Sequence, residues 1–423
     1  MSTKERIIIL LLAALNFTHI LDFMIMMPLG NKLMPHFNIS AKSFTLLVSA
    51  YTISAGISGL IAAFFVDQYD RKKVLLFGYI GFLIGTIACA IAPTYGLLMS
   101  ARIIAGLFGG LIGAQVLSIV SDLIPYERRA SAMGIMMAAF SVSSIVGVPL
   151  GIFVSSTINW HAPFYIVAGI GIVLLPFLLK YIPRMDGHIK QPVANSNRFE
   201  PYLNILSNKS QLLALSLTST MMFGHFLIIP FLNPFMEFNM DFSSVTQTPL
   251  VYSVGGILTL FSTRYIGKLA DRKGKYDIFK YLILLNILPI AFITNMPHIP
   301  FYLVLCVTGI WFVISSGRAI PAQAMVSNVV DPHQRGSFMS INSSIQQISV
   351  GLASFVSGLI IIKKPAPSNL IINYDITGYL SMGVMLFCLM IAYFLNKAMN
   401  NVATAAQKNS ATETAALPVE ETV

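Results

Sequence analysis

Between Ala130 and Leu179 the chain runs for fifty residues without a single Asp, Glu, Lys or Arg. A helix rises about 1.5 Å per residue, and crossing roughly 30 Å of hydrocarbon takes about 20 apolar residues. That one stretch is long enough for two membrane spans and a tight turn. The rest of the chain is of the same kind: 56% of its 423 residues are hydrophobic and only 10% are charged, against roughly 25% charged in soluble domains. Such a chain is an integral membrane protein. Cys89, Cys306 and Cys388 lie in apolar stretches with neither pairing nor metal-ligand spacing, and read as small buried hydrophobes. The beginning resembles a signal peptide, with Lys4 and Arg6 ahead of an apolar run. No small-residue cleavage site follows and the run continues to Leu29, so it reads as a retained first span.

Charges and turn residues cut the sequence into twelve spans, near 7–29, 44–66, 74–92, 97–121, 131–154, 163–181, 211–233, 247–265, 278–295, 300–328, 338–362 and 376–396. The fold class this implies is an all-α membrane protein with twelve transmembrane helices in two six-helix bundles. Residues 1–182 form the first bundle and 183–210 a linker; 211–398 form the second and 399–423 a small, polar tail expected to be disordered. Lys and Arg set the orientation. One side collects Lys4, Arg6, Arg71 to Lys73, Arg128, Arg129, the linker cations and the cluster from Arg264 to Lys280; the other has only Lys32, Lys42, Lys363 and Lys364. This asymmetry puts both termini in the cytoplasm. It also accounts for the net charge of +10 without nucleic acid, the cations lying against anionic lipid.

The two halves repeat each other. A loop, Gly267-Lys-Leu-Ala-Asp271-Arg272-Lys-Gly274-Lys275, has a worn counterpart from Ala63 to Lys72 that keeps Asp67, Arg71 and Lys72. Phe17-x-His19 with Pro28 recurs as Phe223-x-His225 with Pro234, and Ala114-Gln115 recurs as Ala322-Gln323. Internal symmetry at half the chain length is what duplicated transporter bundles show. In the loops, a carboxylate at a helix end accepts backbone N–H groups and pairs with a neighbouring cation. Such a cluster either latches one conformation or merely fixes topology.

Asp22 is the only acidic residue well inside a span. A charge there costs about 2.5–3.5 kcal/mol to insert, so it faces a cavity or a partner. Asn16, His19, Asp22 and Met26 share one helical stripe, whereas the position matching Asp22 in the second half is Ile228. Arg102 enters span four from the far side at a depth similar to that of Asp22, so the two are expected to meet, with Asp22 alternating between a proton and the guanidinium or a cationic substrate. His19 and His225 are either core histidines or direct participants. Arg318 is a second intramembrane cation, in contact either with substrate or with a structural partner. Span eleven is unusually polar: Ser340, Asn342, Ser343, Ser344, Gln346 and Gln347 either glue helices or line water. The methionines Met24, Met26, Met27, Met221 and Met222, with Phe17 and Phe223, are an adaptable cavity wall or packing. Gly106, Gly109, Gly110 and Gly113 allow close helix contact. No Gly-x-x-x-x-Gly-Lys-Ser/Thr loop is present, so ATP-driven transport has no support.

Over about residues 5 to 398 the chain resembles the twelve-span drug–proton antiporter and metabolite-efflux branch of the major facilitator superfamily. Its signature loop is matched by Gly267, Asp271, Arg272, Gly274 and Lys275, and in the first half by Asp67, Arg71 and Lys72, while Ala63, Gln68 and Asp70 depart. Arg102 with Gly106 is similar to the span-four Arg motif, with Ala105 in place of its usual Gln, and Gly147-Val-Pro149-Leu-Gly151 is a partial match to the span-five motif. The resemblance implies a secondary transporter rather than an enzyme, exporting a small amphipathic drug or metabolite against protons by alternating access. The alternative is a sugar or other polar-metabolite transporter. Together with the intramembrane residues above, the expected proton coupling runs through Asp22, Arg102 and His19, and the expected substrate cavity lies at Asn16, Met26, His225, Arg318, Asn342, Gln346 and Gln347. A conformational latch falls at Asp67, Arg71, Gly267, Asp271, Arg272 and Gly274. The expected setting is a monomer in a bacterial inner membrane, meeting substrate, protons and lipid, with no cofactor, metal or nucleic acid.

Overall fold

A computed structural model describes residues 3–62, 68–124, 132, 135, 136, 139–186, 205, 207–330, 335–365 and 368–415. The helices, in chain order, are α1 (Thr3–Ile25), α2 (Gly30–His36), α3 (Ala41–Ala62), α4 (Arg71–Ile91), α5 (Tyr95–Leu123), α6 (Val148–Thr157) and α7 (Ala162–Tyr181). They continue with α8 (Lys209–Phe226), α9 (Ile229–Asn239), α10 (Thr248–Lys273), α11 (Lys275–Thr294), α12 (Phe301–Gly317), α13 (Ala319–Asn328), α14 (Arg335–Ile360) and α15 (Tyr374–Ala415). A two-strand hairpin, β1 (Ile362–Lys363) with β2 (Ile371–Ile372), joins the last two. The protein is an all-α membrane protein with the two-bundle architecture. Eleven segments of the described residues are long and apolar enough to cross a membrane. The eighth expected span corresponds to α10, which forms but carries Arg264, Lys268, Asp271, Arg272 and Lys273 in its last turns. Large apolar side chains such as Phe77, Ile84, Phe261 and Leu288 point outward, as lipid-facing positions require.

Three prolines break spans about one turn upstream of themselves, whereas Pro176 and Pro289 stay inside unbroken helices. Proline has no N–H, so the carbonyl four residues earlier loses its helical donor. α8 ends at Phe226, four before Pro230, and α12 ends at Gly317, four before Pro321. α1 ends at Ile25, one residue beyond the carbonyl that Pro28 leaves unbonded. Pro149 similarly orphans the carbonyl of Ile145, and Ser143–Gly147 winds as a π-turn there, with Val148 N–H bonding the carbonyl of Ser143. The Ile145 carbonyl instead accepts from Ser253 Oγ of α10 at 3.1 Å.

Two long seams join the halves. α3 and α14 pack along their length, with Ser49 Oγ donating to Gly351 O at 2.7 Å, and α10 packs against α6 and the π-turn. At the end remote from the chain terminus, Asn233 Nδ2 donates to Pro28 O at 3.1 Å and to Glu237 Oε1 at 2.9 Å. Glu237 also accepts from Thr248 Oγ1 at 3.2 Å and from Asn31 of the other half.

Four expectations need correction. The nine-residue loop from Gly267 is helical through Lys273, because Lys, Leu, Ala and Arg are good helix formers and outweigh the one Asp. The chain turns on Gly274 alone, at φ +97, a conformation a side chain would strain. Cys306 is exposed rather than buried, on the outward face of α12. Glu237, which falls in the gap between the expected spans 211–233 and 247–265, belongs to α9 and is partly buried among the partners above. α15 stays helical to Ala415, past the span's expected end at 396 and through much of the expected tail; no Gly or Pro interrupts residues 384–417.

Candidate functional site

The centre of the first half is a buried ion pair. Arg102 Nη1 of α5 donates to Asp22 Oδ2 of α1 at 2.7 Å, and neither side chain has any exposure. Thr86 Oγ1 of α4 donates to Asp22 Oδ1 at 3.2 Å. The guanidinium carbon lies 4.2 Å from the ring centroid of Tyr51 on α3, a cation–π contact. Arg102 Nε and Nη2, Tyr51 OH and His19 Nε2 have no hydrogen-bond partner among the described residues. His19 packs edge-on against Phe82 at 5.7 Å and tilted against Tyr51 at 6.1 Å.

Glycines bring these helices together. A Cβ on Gly106 would fall 2.9 Å from the Tyr51 carbonyl carbon, and one on Gly109 would fall 2.7 Å from His19 Nε2. The close approach of α5 to α3 therefore lays Arg102 over Tyr51. On the other flank, a Cβ on Gly147 would meet Leu21 at 2.7 Å, so the π-turn seats against the turn of α1 that carries Asp22.

The expected stripe on span one divides. His19 and Asp22 are buried in the cluster; Asn16 is half-buried and donates to Met136 O at 3.5 Å. Met26 is fully buried just beyond the end of α1. In the second half Arg318 is 1% exposed, at the break between α12 and α13, where its Nη1 meets Met385 Sδ at 3.0 Å. His225 stacks at a tilt on Trp311 at 5.2 Å. Asn342 is buried and accepts from Thr218 Oγ1 at 2.5 Å, tying α14 to α8. Gln346 and Gln347 are half-buried and form no hydrogen bond among the described residues. One part of span eleven's polar face thus glues helices, while Gln346 and Gln347 stay unbonded among the described residues.

Asp67 lies outside the described residues. Arg71 Nε pairs with Asp122 Oδ2 of α5 at 2.5 Å. Beside it Asp70, which departs from the signature pattern, caps α4 by accepting from Lys72 N at 2.9 Å and also accepts from Met185 N at 3.0 Å. In the second half Asp271 and Arg272 are exposed, and no ion pair holds either among the described residues. Sequence reasoning missed the Asp70–Asp122–Arg71 cluster and the Glu237 cluster; the turn-type Asp70 at a helix start was the only local signal for either. A groove of 480 Å³ between α8 and α15, lined by Ser219, Phe223, Gly383 and Phe387, includes Phe223 of the expected apolar wall but none of the polar candidates. The buried Asp22–Arg102 pair sits in the packed interior instead.

Comparisons with known proteins agree with this architecture. The profile of the Major Facilitator Superfamily matches residues 12–354. The MFS-type transporter YceJ of Bacillus subtilis is 25% identical over 80% of this chain and 85% of its own length. Multidrug resistance protein 3 of the same organism is 35% identical, over 36% of this chain and 30% of its own. Among solved structures, a bacterial homolog of the human lysosomal transporter Spinster superposes with a TM-score of 0.74 over 94% of this chain and 98% of that one, at 14% identity. A D-xylose–proton symporter gives 0.72 over 90% and 96%, also at 14%. With the family profile running across most of its length, this chain belongs to the major facilitator superfamily and is a multi-pass secondary transporter.

Proposed function

We propose that the chain exports small amphipathic molecules in exchange for protons, with Asp22 and Arg102 as the coupling pair. The observation that carries this reading is the fully buried carboxylate–guanidinium contact of 2.7 Å. Separating such a pair strands a charge away from water, which is costly. A proton on Asp22 neutralises the carboxylate when Arg102 moves off, so conformation and protonation are linked. Each proton entering down the potential contributes about 2.3 kcal/mol per 100 mV. His19, one turn from Asp22 and packed on Tyr51, is the second candidate proton site. Export is supported by the similarity to a multidrug resistance protein over about a third of the chain.

On the same reading the substrate path runs between Asn16 and Met26 in the first half and His225, Arg318, Asn342, Gln346 and Gln347 in the second. Arg71, with Asp67, and the set Gly267, Asp271, Arg272 and Gly274 form paired latches on the cytoplasmic side. We place the bundle boundary at the 183–210 linker and both termini in the cytoplasm, in a bacterial inner membrane. The free amides of Gln346 and Gln347 favour a second reading, transport of a polar metabolite.

The test is transport in proteoliposomes under an imposed pH gradient, together with survival of an efflux-deficient host across toxic amphiphiles. Wild type is expected to protect and to respond to the gradient, and Asp22→Asn to do neither at equal expression. Equal activity in both would clear Asp22 of coupling, and protection by neither would favour the polar-metabolite reading.

A further inference from the structure

Arg318 is a buried cation without a carboxylate. Among the described residues no Asp or Glu comes within ion-pair distance of it, and its Nε has no hydrogen-bond partner. Its one side-chain contact of polar character is the thioether of Met385, a weak acceptor. A charge kept in a membrane interior at such cost marks a site that a partner completes.

The neighbourhood says what that partner is. Trp311, Ser315 and Arg318 recur at four- and three-residue spacings, so they share one stripe of the tenth span. Ser315 Oγ donates to Asn286 Oδ1 at 3.3 Å, which leaves Asn286 Nδ2 directed at nothing. Trp311 Nε1 is likewise buried without an acceptor, and its ring stacks on His225. Two buried donors of the stripe, Arg318 Nε and Trp311 Nε1, and a third on the neighbouring α11, Asn286 Nδ2, are thus left without acceptors, with no carboxylate beside them among the described residues. Indole and guanidinium N–H groups only donate. A ligand that satisfies them must bring acceptors and negative charge, over a length of about 10 Å from Trp311 to Arg318 at 1.5 Å per residue.

The geometry points to Arg318 as the anchor for the anionic head of the transported molecule, making the substrate an organic anion: a carboxylate, sulfonate or phosphate at Arg318 with an aromatic or apolar body along Trp311. This rests on the transport reading above and adds the sign of the substrate's charge. It also divides labour between the halves, with proton chemistry at Asp22 and substrate charge at Arg318.

Purified full-length protein in detergent would be tested for thermal stabilisation by four matched probes: 4-phenylbutyrate, 4-phenylbutanesulfonate, 4-phenylbutanol and 4-phenylbutylamine. The two anions are expected to bind at least tenfold more tightly than the alcohol or the amine. Arg318→Lys should weaken the anions several-fold, and Arg318→Met at least tenfold while the unliganded protein unfolds no lower than wild type. A purely structural arginine would instead lower the unliganded midpoint on replacement. Equal binding of the amine and the anions to wild type, a measurement that needs no variant, would overturn the proposal, as would anion binding within threefold of wild type in Arg318→Met. Asp22→Asn should keep anion binding and lose pH-driven flux of 4-phenylbutanesulfonate in liposomes. Flux indifferent to the pH gradient, with anion selectivity intact, would remove proton coupling and leave the Arg318 site standing.

Discussion

Arg102 and Arg318 are both arginines sealed inside the protein, one in each half, yet among the described residues only the first has a carboxylate partner. Arg102 is held by Asp22 and by the face of Tyr51; Arg318 has a thioether and a stripe of unsatisfied donors. The loops at the bundle ends differ in the same sense. Arg71 is clasped by Asp122, whereas Asp271 and Arg272 are exposed. A duplicated fold does not duplicate its electrostatics: the buried arginine of the first half is paired, and that of the second presents charge that something else must meet.

The largest effect should come from breaking the first half's buried pair. Arg102→Ala leaves Asp22 buried alone and is expected to cost about 3–5 kcal/mol, seen as a lower unfolding midpoint in detergent. Adding Asp22→Asn should recover much of the loss, and no recovery would mean that the cost is packing rather than charge. Gly106→Val comes next, at about 2 kcal/mol, because its side chain overlaps the Tyr51 backbone and pushes α5 off α3. The same variant should impair pH-driven transport by displacing Arg102. Arg318→Met has the opposite sign: with no partner to strand, it should gain on the order of 1 kcal/mol in the unliganded state, and a loss like that of Arg102→Ala would erase the contrast between the halves. The smallest contrast lies at the loops. Arg71→Gln should cost about 0.5 kcal/mol, as expected of a part-exposed pair, and Arg272→Gln nothing measurable by the same unfolding assay.

The meeting of Asp22 and Arg102 was legible because depth in a membrane can be counted in residues, and a buried acid needs a cation at its own level. The charge-free stretches made the spans legible for the same reason, with ends shifted by a few residues. Helix breaks were written in Pro28, Pro230 and Pro321, but membrane helices absorb many prolines, so sequence alone does not choose between a kink and a break. Partnerships across the fold were not legible. Asn31 and Glu237 are 206 residues apart, and a glutamate near the end of a span looks like loop until its neighbours are known. Cys306 was misjudged because apolar spans have two sides, and composition does not say which one faces lipid.

The Ile145 carbonyl, which Pro149 deprives of its helical donor, bears on how quickly the halves can part. Its bond to Ser253 joins a main-chain acceptor to a hydroxyl, so releasing it strands no charge, and the hydroxyl has its own helix's carbonyls to return to. Such a contact adds little to the activation barrier for separation while still fixing the register of the closed seam. Pro149→Ala would hand the carbonyl back to its own helix, and the seam would be left to hold by packing alone.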